Sequence, residues 1–218
     1  MSAVLNEQEQ VDLIKDYWKR YGNFFLSTIL VIAIGMVGWR YWQNQQLAKK
    51  NDASSRYQSL LVSFSSKHMS DVNAKAQDII STYPSTVYAS MSSLILAAHN
   101  IQDKQYKQAK NNLHWVLAHS RNPAILATTN IRLARLLIAT NHPKAALQKL
   151  QNIPLSFSGV ADMIKGDIYR TSGNTLKAHN EYLSSLKQLS STDPLYTIVN
   201  MKLNDLPNLT KTPVKKHD

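Results

Sequence analysis

The stretch KGDIYRTSGNTLKAHNEYLSSL, residues 165–186, contains the pattern that decides the fold. Gly173 separates two segments with helical apolar spacing, and glycine is the residue that most readily ends a helix in a tight turn. Gly166 precedes this glycine by seven residues and Ala178 follows it by five. Two helices approach closely only where small side chains face each other. The spacing therefore predicts an antiparallel helical hairpin that crosses at Gly166 and Ala178.

The same pairing of small residues recurs in two earlier stretches, 96–117 and 133–150. In each stretch two alanines are twelve residues apart, as Gly166 and Ala178 are. A helical hairpin that recurs along the chain in this way is typical of solenoids, in which successive hairpins stack on one another. We therefore predict an all-α solenoid, and the alternative is an ordinary helical bundle with alanines at its crossings. The residues assigned to packing within the repeats are Ala97, Ala109, Ala134, Ala146, Gly166, Tyr169, Gly173 and Ala178.

Weaker signals extend the repeats in both directions. A first repeat is centred on Ala76, with Ile80 four residues later and Tyr83-Pro84 ending its helix. At the other end, Asp193-Pro194 has the form of an N-cap followed by proline at the first helical position. This pair predicts a helix that caps the end of the solenoid.

The last repeat resembles the tetratricopeptide repeat in its two glycines, its tyrosine, its alanine and its second aromatic residue. The other repeats lack the early tryptophan and the turn glycine. The resemblance implies a degenerate tetratricopeptide-like α-solenoid over residues 43–206, with a concave groove for a peptide or a partner domain. The candidate groove residues are Arg132, Arg135, Met163, Asp167 and Arg170. Salt bridges between repeats explain the arginines equally well.

A second stretch, YGNFFLSTILVIAIGMVGW at residues 21–39, contains no charged residue. At about 1.5 Å per residue a helix of this length spans about 28 Å, close to a hydrocarbon core of roughly 30 Å. Aromatic and basic side chains at both ends are typical of the membrane interface. The sequence therefore predicts a single N-terminal transmembrane helix with its interfacial end, residues 21–42, in a lipid bilayer. The predicted interface residues are Trp18, Tyr21, Trp39, Arg40 and Trp42.

Two flanking segments and one face of the span complete the predicted organisation. Residues 1–20 form an amphipathic leader that begins with a capping box at Asn6. Residues 207–218 are polar, basic and interrupted by proline, which predicts a disordered tail. In the span, Ser27, Gly35 and Gly38 fall near one face, where another membrane helix can approach closely. Glycine is also common in membrane helices without such a partner.

The net charge of +11 lies entirely after residue 42, because residues 1–42 carry four bases and four acids. A domain this basic is attracted to anionic lipid headgroups, nucleic acid or acidic protein surfaces. Its bases are scattered singly rather than clustered with aromatic residues. We therefore favour solvated helix faces near an anionic membrane over nucleic-acid binding.

The residue inventory argues against a catalytic or cofactor site. The chain has no cysteine, and its seven histidines include no pair spaced four apart and no HExxH motif. It has no GxSxG, Walker or GxGxxG motif, and only six glycines. We predict a protein that is not an enzyme and that binds no metal, cofactor, nucleic acid or small-molecule substrate.

Three segments resemble the YfgM family of bacterial inner-membrane proteins. They are EQEQVDLIKDYWKRYGN at 7–23, GWRYWQ at 38–43 and DPLYTIVNMKLNDL at 193–206. The resemblance implies a non-enzymatic ancillary subunit of the SecYEG translocon, with a cytoplasmic N-terminus and a periplasmic repeat domain. It further implies a membrane-anchored periplasmic chaperone of the prolyl-isomerase class as partner, to which translocated proteins are handed over.

Two other functions remain open from the residues. One is another membrane-anchored repeat adaptor, in envelope assembly or division, and the other is a membrane-tethered nucleic-acid binder. Charge does not choose the orientation of the span, because three bases lie close to it on each side. The predicted orientation therefore follows from the family resemblance alone.

Overall fold

The computed structural model describes residues 7–207. Within its first helix, the side chains of residues 7–14, 16, 17, 22, 23, 25 and 29 are outside the description. The capping box predicted at Asn6 and the tail predicted from residue 208 onward also lie outside the described residues.

All regular structure between residues 7 and 207 is α-helical. The helices are α1 (Glu7–Ser65), α2 (Met69–Thr82), α3 (Val87–Gln102), α4 (Tyr106–His119), α5 (Pro123–Ala139), α6 (Pro143–Lys149), α7 (Leu155–Thr171), α8 (Thr175–Gln188) and α9 (Pro194–Asn204). The chain divides into two compact units, Met1–Asp52 and Ala53–Asp218. This division falls ten residues after the domain boundary predicted at residue 43.

Helix α1 runs without interruption through the two boundaries predicted at residues 20 and 42. No proline occurs between residues 7 and 65 to break it. In the first unit its described apolar side chains are exposed, for example Phe24 (74%), Val31 (69%) and Val37 (71%). Judged on the described residues alone, no helix of the structure combines the length and the hydropathy needed to cross a membrane.

The second unit contains four helical hairpins that are closed by the same turn. The turn residues with left-handed backbone are Lys67 (φ 57°), Lys104 (φ 59°), Asn141 (φ 62°) and Gly173 (φ 75°). After each of them, the next amide donates to the carbonyl five residues earlier, as a Schellman motif requires. These bonds are His68–Ser63 (3.1 Å), Gln105–Asn100 (2.7 Å), His142–Leu137 (2.8 Å) and Asn174–Tyr169 (2.9 Å). The hairpins are therefore α1–α2, α3–α4, α5–α6 and α7–α8.

The turns define a register that differs from the sequence alignment in the first hairpin. Ala109, Ala146 and Ala178 each follow their turn residue by five positions, and the corresponding residue after Lys67 is Val72. The alignment had placed Ala76 there, one helical turn too late. Ala76 is fully buried, but it is equivalent to the larger residues Leu113, Leu150 and Tyr182. The predicted Ile80 is only partly buried, whereas Ile79 is in the core.

The small residues of the repeats lie in the core. The fully buried alanines among them are Ala97, Ala109, Ala134, Ala146 and Ala178. In the fourth hairpin, a Cβ atom added to Gly166 would lie 2.5 Å from ring carbons of Tyr182. Glycine is required there because an aromatic ring, rather than Ala178, occupies the space beside it. Tyr169 is half-buried, with the Lys177 ammonium 5.3 Å from its ring centre.

Helix α9 closes the far end of the repeats. It starts at Pro194, and the Asp193 carboxylate accepts a hydrogen bond from the Leu195 amide at 2.8 Å. This confirms the helix start predicted from Asp193-Pro194. Val199 is fully buried and joins the same hydrophobic cluster as the third and fourth hairpins.

Candidate functional site

The first helices of the hairpins lie next to one another and form one layer. We call this the first-helix layer, and it comprises α1 from Ala53 onward, α3, α5 and α7. The rings of Tyr57 in α1 and Tyr88 in α3 are 5.6 Å apart. Arg132 in α5 donates from Nη1 to the Leu94 carbonyl of α3 at 3.2 Å, and α5 packs against α7. All five candidate groove residues belong to this layer.

Two of those five residues are engaged inside the fold. Arg132 is half-buried and its bond to Leu94 joins the second and third hairpins. Asp167 accepts hydrogen bonds from the Tyr182 hydroxyl at 2.7 Å and from Lys202 Nζ at 2.6 Å. Burial of the phenol and its bond to Asp167 raise the pKa of Tyr182 far above its ordinary value. Asp167 thus ties α7 to α8 and α9.

The other three residues differ in how accessible they are. Met163 is 7% exposed and belongs to the core, so it contributes packing rather than an open surface. Arg135 and Arg170 are exposed on the first-helix layer. Both guanidinium groups can therefore meet a partner that lies along this layer. Arg170 also approaches Tyr182 and partly opposes the rise of the phenol's pKa.

Positions counted back from each turn residue identify two more residues on the surface of the first-helix layer, and neither was predicted from the sequence. Leu61 precedes its turn by six residues, as Arg135 and Asp167 do, and Phe64 precedes it by three, as Arg170 does. Leu61 is 42% exposed and Phe64 is 40% exposed. The first-helix layer therefore changes from apolar in the first hairpin to basic in the third and fourth. A partner with apolar and acidic side chains matches this gradient.

Comparison with known proteins gives the fold a family. The family model described as "Tetratricopeptide repeat-like domain" matches residues 15–208. The chain belongs to the tetratricopeptide repeat-like family. A solved structure entitled "Functional Characterization of Pseudomonas Aeruginosa pilF" has a TM-score of 0.55 and 16% identity, and the match covers 72% of this chain and 69% of that chain. At that identity the likeness concerns the fold alone.

Curated relatives cover nearly the whole chain. A protein of Neisseria gonorrhoeae is 26% identical over 94% of this chain and 100% of its own length. Proteins of Haemophilus influenzae and Escherichia coli are each 25% identical over 94% of this chain, and the matches cover 100% and 99% of their lengths. All three are named "Ancillary SecYEG translocon subunit". The resemblance to the YfgM family is thereby confirmed.

A buried polar cluster lies between α7 and α8 of this repeat-like domain. Asp162 is 8% exposed and accepts hydrogen bonds from Lys165 Nζ at 2.8 Å and from the Ser184 hydroxyl at 2.6 Å. Burial raises the pKa of the nearby Glu181 carboxyl, and Lys165 opposes that rise. Nineteen residues separate the two acids, so their spacing gave no signal in the sequence. Both oxygens of Asp162 are occupied, which makes the cluster a packing feature rather than a reactive site.

The described residues offer no obvious metal site. Among the side chains that the structure describes, no group of three histidines or carboxylates comes together in a way that could hold an ion.

Proposed function

We propose that the chain is an ancillary subunit of the SecYEG translocon in the bacterial inner membrane. The observation that carries the proposal is the near full-length match to proteins that all bear this name. In this proposal residues 21–39 anchor the chain, and the first-helix layer holds a segment of a translocated protein. The layer then releases that segment to a membrane-anchored periplasmic chaperone of the prolyl-isomerase class.

The proposed anchor is supported by the first unit of the structure. Its described apolar side chains from residue 24 to residue 37 are mostly more than half exposed. A surface of this extent is unfavourable in water and is typical of a membrane or partner contact. Trp18 and Tyr21 at one end, and Trp39 and Trp42 at the other, are exposed as well. Aromatic side chains at both ends suit the two interfaces of a bilayer.

The proposed client surface is supported by the gradient along the first-helix layer. Leu61 and Phe64 offer apolar contact, and Arg135 and Arg170 offer hydrogen bonds to acidic or carbonyl groups. An unfolded segment that leaves a translocation channel presents both kinds of group. We expect weak binding of many different segments, because the exposed apolar area is small.

Site-specific photocross-linking in cells tests the client surface. A benzophenone amino acid at Phe64 is expected to capture secreted proteins during their export, along with the periplasmic chaperone. The matched control is Leu176, which is 59% exposed. It lies on α8, the second helix of its hairpin, and is therefore outside the first-helix layer. Equal adducts at both positions, or none at Phe64, would contradict the role of the first-helix layer.

Two further experiments address the anchor and the orientation. A cross-linker at Gly35 or Gly38, where no atom lies within 4 Å of an added Cβ, should capture a translocon subunit. The chain has no cysteine, so a single cysteine at exposed Ser172 reports on one position only. Labelling of that cysteine by an impermeant thiol reagent on intact spheroplasts is expected. Protection until lysis would reverse the proposed periplasmic location of the repeats.

A further inference from the structure

A cleft of about 490 Å³ lies apart from the first-helix layer, between two turns that connect successive hairpins. One wall is the α2–α3 connection with the first turn of α3, and the other is the end of α4 with the α4–α5 connection. Its volume is in the range of ligand-binding sites. It shares no residue with the candidate groove, so it is a separate surface of the second unit.

The cleft is lined by one guanidinium, one imidazole and no carboxylate. These two groups belong to Arg121 and His119. His119 Nδ1 lies 2.9 Å from the Trp115 carbonyl, and its ring stacks on Trp115 with centres 4.2 Å apart. A carbonyl can only accept, so Nδ1 carries the hydrogen and Nε2 remains for other contacts. Arg121 is exposed and forms no ion pair within residues 7–207.

The amino end of α3 supplies further donors. Thr86 caps this 16-residue helix by accepting from the Ala89 amide at 3.3 Å. The amides of Val87 and Tyr88, in the first turn, have no intrahelical acceptor, and this end of a helix attracts negative charge. The amino end of α5 differs, because Asn122 occupies its first amides and Pro123 has none. The backbone donors of the cleft therefore belong to α3, whose Val87 lines it.

A serine hydroxyl opens onto the cleft without bonding to the rest of the protein. Ser90 is 2% exposed and lines the cleft, yet its hydroxyl forms no hydrogen bond to any described residue. Among the other buried serines, Ser185 donates to the Gly159 carbonyl at 2.6 Å, whereas Ser92 Oγ is fully buried without a partner. Ser90 Oγ is not one of the fully buried atoms that lack a partner, so this hydroxyl is reached from the cleft although the residue as a whole is buried. Its position beside the free amides of α3 makes this hydroxyl a further donor for a ligand in the cleft.

We propose that this cleft binds a carboxylate presented by an acidic peptide segment of a partner protein. A single guanidinium, together with neutral hydroxyl and amide donors, matches one negative charge and two acceptor oxygens. Pro84, Val87 and Ala118 line the same cleft and provide apolar contact for residues beside the acid. The excess of positive charge on this part of the chain also draws acidic segments towards it. The proposal is independent of any role at the translocon.

The test uses the full chain in neutral detergent and a rhodamine-labelled peptide with one glutamate between leucines and alanines. Fluorescence anisotropy should show saturable binding, and the matched glutamine peptide should bind at least about tenfold more weakly. Arg121→Gln should weaken the glutamate peptide at least about tenfold. The control Lys187→Gln removes the same charge from an exposed site on α8 and should change the affinity less than twofold. Equal binding of the two peptides, or equal losses in the two variants, would overturn the proposal.

Ser90→Ala separates a ligand role from a structural one. Because the hydroxyl opens onto the cleft and bonds to no described residue, its removal should leave the melting temperature unchanged. The affinity for the glutamate peptide should nevertheless fall about threefold or more. An unchanged affinity would contradict the site. Inorganic phosphate that displaces the peptide more effectively than acetate would also overturn it, because the cleft would then be a phosphate site.

Discussion

Gly166→Ala is the sharpest test of how the fourth hairpin is packed. The added Cβ would lie 2.5 Å from two ring carbons of Tyr182, whereas ordinary contact begins near 3.4 Å. The ring must therefore move by roughly 0.9 Å, the difference between those distances. Tyr182 is fully buried, and Asp167 holds its hydroxyl at 2.7 Å, so the ring has little freedom to yield. Overpacking of this kind costs typically about 1–3 kcal/mol, and we expect the upper half of that range.

Alanine also favours a helix over glycine by about 1 kcal/mol, which offsets part of the cost. The net loss in the free energy of unfolding should be about 1–2 kcal/mol, or about 2–8 °C in melting temperature. Circular dichroism during urea and thermal unfolding of the full chain measures both. Ala134 occupies the equivalent place in the third hairpin, and there the reverse change, Ala134→Gly, should destabilise. A Gly166→Ala protein as stable as the wild type would refute the packing argument.

Three further predictions concern the turns, the buried acid and the terminal helix. Lys104→Gly should raise the free energy of unfolding by about 1 kcal/mol, because a left-handed backbone (φ 59°) suits glycine; Lys107→Gly, in the exposed face of α4, should lower it. Burial raises the pKa of Glu181 above its ordinary 4.5, so its favourable contribution is present below pH 4.5 and is lost as the pH rises through the raised pKa. Urea unfolding at pH 4 and pH 7 should therefore show a smaller decline for Glu181→Gln than for the wild type. Lys202→Met should increase amide hydrogen exchange in α9 while leaving α3 unchanged, since it removes the 2.6 Å bond to Asp167; equal exchange in wild type and variant would contradict this role.

The last hairpin was the easiest element to predict from sequence, and the reason is its glycines. Gly173 marks the left-handed turn residue, and Gly166 marks the close approach to an aromatic ring. The equivalent turns use Lys67, Lys104 and Asn141, and lysine gives no signal for a left-handed backbone. Only the repeated hydrogen bonds of the structure make the four turns recognisable as one motif.

The first hairpin has no glycine to mark its turn or its crossing. Its crossing uses Leu60 and Val72, both fully buried, where the other hairpins use alanine or glycine. A pattern of small residues therefore points to Ala76, one helical turn away from Val72. The same misplacement hid Leu61 and Phe64, because their equivalence to Arg135 and Arg170 depends on the correct register. The candidate groove was predicted in its basic half only.

Contacts between residues far apart in the sequence explain why some predicted groove residues are engaged or buried in the structure. Arg132, Asp167 and Met163 were reasonable surface residues by helical position, but each has a partner or a burial that spacing does not reveal. Asp167 is 35 residues from Lys202, and Arg132 is 38 residues from the Leu94 carbonyl that it contacts. The unpartnered Ser90 is another case, because only the structure shows that its hydroxyl lacks an acceptor.

The recurring turn has a consequence for how the second unit acquires its structure. Each hairpin is closed by bonds between residues only five positions apart, so it can form as soon as its own short length of chain is available. Local closure of this kind favours rapid folding, in order from the first hairpin to the last, while the chain is still being synthesised. The bond from Lys202 to Asp167 can form only after α9 has been added to the chain. Until that moment the fourth hairpin has an open edge, and a chain halted just before residue 194 would expose it.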